Sequence, residues 1–207
     1  MTDRFLKAKH WQLFLMTFGI PMIFQFIMMG TIFATLGNGN PPDPTLIFSY
    51  MKFFPLIMIL FMGVFFGWFW SVVTGLQKTI PTEFQLKLNR FKIFFFIPLA
   101  YILSISIFMG STISGFADGS TPLNPGLIGG LMAIIFPLHL FSMFCIFHTL
   151  YFVAKTFKTA ELKKEVSFSD FAGEFFLIWF YPIGVWIVQP KINRMIEQQQ
   201  QTTANTI

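Results

Sequence analysis

Polar residues inside long apolar runs are the first candidates for chemistry in this sequence. Gln25 and His139 each lie near the middle of such a run, at similar depth. Polar side chains are costly in hydrocarbon, and they often mark ion or substrate pathways. We therefore name Gln25 and His139 as a candidate intramembrane polar site, in which they hydrogen-bond to each other or flank a small polar pathway. The alternative is a neutral histidine that is satisfied by a backbone carbonyl.

Motifs for catalysis or metal binding are absent from the sequence. It contains no phosphate-binding glycine loop, zinc-protease motif, nucleophile elbow, paired-cysteine motif or intramembrane carboxylate pair. A bis-histidine haem or a metal on His10 and His148 is a conceivable alternative, but the sequence supplies no second carboxylate or thiolate cluster for it. We predict no catalytic residue, no metal and no cofactor, and we interpret Cys145 as a small core side chain. An intramembrane enzyme is the low-ranking alternative.

The composition places these residues in a lipid bilayer. Hydrophobic residues make up 55% of the chain and charged residues only 11%, whereas about a quarter of a soluble domain is charged. Four apolar runs exceed the roughly 20 residues that a helix needs to cross the hydrocarbon core. Barrel strands are not indicated, because the runs show no alternation of polar and apolar residues. We predict an all-α integral membrane protein with four transmembrane helices, at about residues 11–36, 46–73, 91–116 and 127–153.

The positions of the basic residues predict the orientation. Lys and Arg cluster in residues 1–10, 74–90 and 154–170, whereas residues 37–45 and 117–126 contain neither. By the positive-inside rule, the N-terminus and the two long loops are cytoplasmic. We expect a bacterial inner membrane.

The cytoplasmic loops predict contact with lipid rather than with nucleic acid, because no separate basic face is left once the loops are assigned. In residues 82–91, TEFQLKLNRF, Phe84 and Leu88 fall at helical spacing opposite Lys87 and Arg90. This pattern is typical of a short helix on the membrane surface that touches anionic lipid. A solvated connector is the alternative.

Short segments of the sequence recur at a constant offset of 80 residues. Met29-Gly30 pairs with Met109-Gly110, and Lys78-Thr79 pairs with Lys158-Thr159. The pairing predicts an internal repeat of two parallel helical hairpins, unit 1 at residues 11–91 and unit 2 at residues 91–170.

Residues 171–189 form a fifth hydrophobic element with two interpretations. FLIWFYP within it matches the proline-ended parts of earlier runs, which favours a fifth span. Glu174, central aromatic residues and the following Lys191 favour a short or re-entrant helix that breaks at residues 182–184. We favour the re-entrant interpretation. Residues 190–207 have little apolar surface, and we predict a flexible polar tail.

Small residues at every fourth position form a helix-packing stripe in the second run: Gly63, Gly67, Ser71 and Gly75. Such a stripe lets another backbone approach closely. The fifth element, a second copy, another protein or ordinary intramolecular packing can occupy it. We also predict two interfacial anchors, Lys52 and Glu174, with Asp43 as the candidate partner of Lys52.

These features predict a non-catalytic accessory or assembly subunit of a membrane complex, partnered by lipid and by a membrane protein or a second copy of itself. A small oligomeric transporter or channel is the alternative, because an internal repeat and polar residues at a common depth, here Gln25 and His139, are typical of transporters.

Overall fold

The computed structural model describes residues 2–39, 49–117, 120 and 125–204. Regular structure within these residues is helical, with no strand. The helices are α1 (Thr2–Lys7), α2 (His10–Phe14), α3 (Ile20–Gly37), α4 (Phe54–Leu76), α5 (Leu88–Ala117), α6 (Pro125–Leu162), α7 (Phe168–Trp179) and α8 (Tyr181–Ala204). A π-helical turn, Leu15–Gly19, joins α2 to α3, and two 3-10 turns, Gln77–Thr79 and Thr82–Phe84, lie between α4 and α5.

Within the part of the chain that the structure describes, four helical stretches are long and apolar enough to cross a membrane: His10–Gly37, Ser49–Thr79, Leu88–Thr112 and Gly129–Leu162. The prediction of an all-α, multi-pass membrane protein with four such helices is thereby confirmed. α6 differs from the predicted span, since it continues past Val153 to Leu162. Lys155 and Lys158 therefore lie on a helix rather than in a loop.

A π-helical turn interrupts the first of these stretches just before Pro21. Proline has no backbone N–H, so it cannot continue the regular ladder of hydrogen bonds. The wider turn redistributes those bonds, and the N–H of Ile20 donates to the carbonyl of Leu15. Thr17 is fully buried there, and its hydroxyl donates to the carbonyl of Leu13 at 2.7 Å. The stretch thus keeps its backbone paired while it accommodates the proline.

The core lies at the end of the bundle that carries the basic loops, and α4 is its centre. α1, the π-helical turn, α5 and α6 all pack against α4. On α4, Trp68 and Phe69 are at most 1% exposed, as are Val72, Val73 and Leu76. By contrast, none of the described residues of α3 is buried. Packing is therefore dense at one end of the bundle and sparse at the other.

The small-residue stripe of α4 receives α1 along part of its length. A Cβ atom at Gly67 would lie 2.9 Å from the Phe5 ring, and one at Gly75 would overlap Leu6. Ser71 is buried between them, whereas a Cβ at Gly63 would meet no atom within 4 Å. Intramolecular packing, one of the four occupants considered, therefore fills the stripe from Gly67 to Gly75.

α7 begins with a capping box. The hydroxyl and the amide of Ser167 donate to the Asp170 carboxylate at 2.7 and 2.8 Å. These two hydrogen bonds lower the pKa of Asp170 below its ordinary value. The cap therefore stabilises α7 at neutral pH and is lost as the pH falls through that lowered pKa.

A sharp bend at Phe180 joins α7 to α8. Phe180 has φ −85° and ψ 56°, and α8 starts immediately after it with Pro182 in its first turn, where proline sacrifices no helical bond. α8 runs on to Ala204, so much of the predicted flexible tail is helical. Ile192 is 0% and Ile196 8% exposed, and their burial against the core explains this difference from the prediction.

Gly184 permits the bend, and replacing it tests how much the bend contributes. A Cβ atom at this position would overlap the Leu177 backbone carbonyl, which cannot move aside as a side chain can. We expect Gly184→Ala to lower the free energy of unfolding by about 1–3 kcal/mol, measured by thermal unfolding in detergent micelles. Gly173→Ala on α7 is the control, because its Cβ would meet nothing within 4 Å. Equal unfolding temperatures for the two variants would contradict this account.

Candidate functional site

A buried amide cluster, Trp68, Gln189 and Asn193, is the most extensive uncharged polar arrangement of the core. Gln189 is 0% exposed, and the Trp68 indole N–H donates to its Oε1 at 2.7 Å. Asn193 Nδ2 donates to the carbonyl of Leu6 at 2.7 Å. Gln189 Nε2 faces three carbonyls at the end of α1: Phe5 (3.0 Å), Leu6 (3.3 Å) and Ala8 (2.8 Å). Since the last carbonyls of a helix lack partners within the helix, the cluster caps α1 from α8.

A charge network joins α6, α7 and α8. Lys158 Nζ lies 2.8 Å from Glu161 and 2.9 Å from Glu174, and Lys191 Nζ lies 3.5 Å from Glu161 and 4.0 Å from Glu174. Glu174, the predicted interfacial anchor, is 8% exposed. Two acids and two bases balance each other, so the arrangement leaves no net charge to attract an ion. Its geometry suits the joining of three helices.

The candidate pair Gln25 and His139 is not joined by a hydrogen bond in the described part of the chain. His139 Nδ1 instead lies 3.3 Å from the Tyr101 hydroxyl of α5. Both His139 and Gln25 are exposed. Sequence reasoning missed Tyr101, although a tyrosine near the middle of the third apolar run was the available signal. Among the described residues, the hydrogen-bond contact of His139 is therefore with the Tyr101 side chain rather than with Gln25 or a backbone carbonyl.

The other predicted candidates that the structure describes have different neighbours. Lys52 is exposed, and Asp43 lies outside the described residues. The His10 ring contacts Trp186, with ring centroids 4.5 Å apart, and the His148 ring stacks on Phe94 at 4.0 Å. Cys145 is buried. Among the described residues, no three His, Cys, Asp or Glu side chains gather as metal ligands.

No protein-family model, curated protein or solved structure matches this chain. Function must therefore be inferred from the chain's own geometry. The two polar arrangements of the core are internally paired, whereas Gln25 and His139, towards the sparse end of the bundle, are exposed. That difference is the main functional clue.

Gln189→Leu tests the capping of α1. Leucine nearly matches glutamine in size, but it leaves the buried Trp68 N–H without its partner and removes the Nε2 hydrogen bonds to α1, where the carbonyls of Leu6 and Ala8 keep Asn193 as a donor. A buried group without a partner costs about 1–3 kcal/mol. We expect the free energy of unfolding to fall by about 1–3 kcal/mol, measured in detergent by circular dichroism during thermal unfolding. Gln200→Leu on the exposed end of α8 is the control and should leave unfolding unchanged. Indistinguishable unfolding of the Gln189 variant and the wild type would refute the capping role.

Proposed function

We propose that this chain is a non-catalytic accessory or assembly subunit that binds another membrane protein through the sparsely packed end of its bundle. The observation that most directly supports this proposal is the exposure of Gln25. This residue lies on α3, a helix without a buried residue among those described, within a stretch that can span a membrane. An amide that faces hydrocarbon without a partner is unfavourable. A hydrogen-bonding residue on a partner's transmembrane helix would satisfy it.

The way α3 is held supports this proposal. The Thr31 hydroxyl of α3 lies 3.2 Å from the Tyr50 hydroxyl. The centroid of the Phe24 ring lies 6.3 Å from the ring centroids of Tyr50 and of Phe53. These contacts fix one side of α3 to the beginning of the second span. Gln25, next to Phe24 in the chain, is left on an open side. A partner helix would therefore meet a surface that is already positioned.

The internal pairing of the amide cluster and the charge network supports the non-catalytic part of the proposal. Gln189 and Asn193 are engaged in capping α1, and the four charges of the network pair with one another. Side chains that act on a substrate need free donors, acceptors or charges. The polar groups of these two clusters are occupied by structural contacts instead, which favours a supporting role.

The proposed topology places the N-terminus, both long loops and the tail in the cytoplasm of a bacterial cell, where the basic loops face anionic lipid. α7 and α8 then form a re-entrant hairpin. Glu174 on one arm and Lys191 on the other reach the same charge network, and Tyr181 at the bend packs against Phe18 and Phe65. Both arms therefore start from the same end of the bundle. The two parallel hairpin units of the repeat belong to this proposal as well.

Labelling of the tail tests the topology. In a Cys145→Ala background, we expect Gln200→Cys to react with a membrane-impermeant maleimide in inside-out vesicles and not in intact cells. Lys52→Cys is the control, because the proposal places residue 52 at the outer interface and its label should appear in intact cells. A Gln200→Cys variant that reacts from outside would mean that residues 171–189 form a fifth span.

Gentle extraction followed by native mass spectrometry tests the accessory role. We expect a stoichiometric foreign membrane protein with the wild-type chain, and we expect its retention to fall about three- to thirtyfold in Gln25→Leu, as for loss of an interhelical hydrogen bond. Ile23→Leu, at a 57% exposed position of the same helix, is the apolar control and should retain the partner.

A homo-oligomer without a foreign protein would overturn the accessory proposal. It would favour a small oligomeric transporter or channel, for which the exposed Tyr101–His139 pair is the specific observation. In that case, the flux assay in liposomes is decisive, because His139→Ala would abolish a pH-dependent flux through such a pore.

A further inference from the structure

A groove with a volume of about 770 Å³ lies where the beginning of α5 meets α6. It is outside the amide cluster and the charge network. The polar groups that line it come from both sides of the junction: Lys87, Asn89, Arg90, His148, Tyr151 and Lys155.

The groove carries unbalanced positive charge. Three of its lining residues are cations, and none of the lining residues is acidic. Within the described residues, the ion pairs involve other lysines, so Lys87, Arg90 and Lys155 have no carboxylate within ion-pair distance. Glu83 and Glu165 line a separate cavity of about 150 Å³, which shares Leu86 and Lys155 with the groove. The local charge therefore favours an anion.

The beginning of α5 adds hydrogen-bond donors to this charge. α5 starts at Leu88, so the amides of its first turn have no acceptor within the helix, and the helix dipole is positive at this end. Leu88, Asn89 and Arg90 all line the groove. The planar guanidinium of an arginine matches the oxygens of a phosphate in a two-pronged contact. Together these groups have the chemistry of a phosphate site.

The groove continues into an apolar surface. The His148 ring stacks on Phe94, with centroids 4.0 Å apart, and Phe94 contacts Phe144 at 6.0 Å. Phe144 is 58% exposed, so this aromatic strip extends from the groove along α5 and α6 on the outside of the bundle. His148 Nδ1 is also buried without a hydrogen-bond partner. A free phosphate would leave the strip uncovered, whereas the acyl chains of a lipid would cover it.

We propose that this groove binds the phosphate group of an anionic phospholipid, with the acyl chains along Phe94 and Phe144. The proposal extends the predicted surface contact of residues 82–91 to a defined site between two helices. It does not depend on the accessory role, and the proposed orientation serves only to assign the lipid to the cytoplasmic leaflet.

Two charge-matched double variants test the site. Arg90→Gln with Lys155→Gln removes two cations from the groove, whereas Lys78→Gln with Lys92→Gln removes two exposed cations that do not line it. Binding is measured by native mass spectrometry in mild detergent during titration with phosphatidylglycerol or phosphatidylcholine. We expect the wild type to bind one phosphatidylglycerol in preference to phosphatidylcholine. The groove variant should lose at least about tenfold in affinity and the control variant less than about twofold.

Several outcomes would overturn the proposal. Unchanged binding by the groove variant, equal losses in both variants, or equal binding of the two lipids would mean diffuse attraction without a site. Glycerol phosphate in the millimolar range should not displace the lipid; displacement would assign the groove to a free phosphate ester. Circular dichroism of both variants establishes that they are folded.

Failure of this proposal and failure of the accessory role are distinguishable. Gln25→Leu should bind phosphatidylglycerol as the wild type does, because Gln25 is not among the residues of the groove. Conversely, the groove variant should retain the foreign membrane protein.

Discussion

The fold depends on how the short helix α1 is terminated. A helix end placed among apolar side chains needs partners for its last carbonyls, because no water replaces them. Gln189 supplies those partners from α8 while its own oxygen accepts from Trp68 of α4. One buried amide therefore ties together three helices that are far apart in the chain. α1 can cover the glycines of α4 because its exposed backbone end is satisfied in this way.

This arrangement divides the molecule into two regions with different properties. In the core end, large aromatic side chains such as Trp68 and Phe69 are fully enclosed, and the buried amide of Gln189 is paired at both of its polar atoms. In the other end, side chains such as Phe26, which is 69% exposed, face outward. Packing between transmembrane helices, rather than the hydrophobic effect, decides whether helices associate in lipid. A densely packed core, continued by helices whose side chains are exposed at the other end of the bundle, is accordingly suited to receive a further helix.

The sequence predicted the features that depend on local pattern. Run length and low charge were sufficient for four membrane-spanning helices, because crossing hydrocarbon imposes a minimum length. Features that depend on distant pairs were missed. Nothing near Gln189 in the chain indicates that it caps residues at the opposite terminus, and Tyr101 was overlooked as the partner of His139. The apolar spacing of Ile192 and Ile196 was readable, but the polar residues around them suggested a tail.

α6 connects the groove to the charge network, because Lys155 faces the groove and Lys158 pairs with Glu174 on α7. These lysines are close along one helix but differ in their surroundings. Lys158 is neutralised from within the protein, whereas Lys155 and Arg90, which line the same groove, have no carboxylate within ion-pair distance among the described residues. A bound anionic lipid would therefore neutralise basic residues at the α5–α6 junction, as Glu174 neutralises Lys158 at the α6–α7 junction.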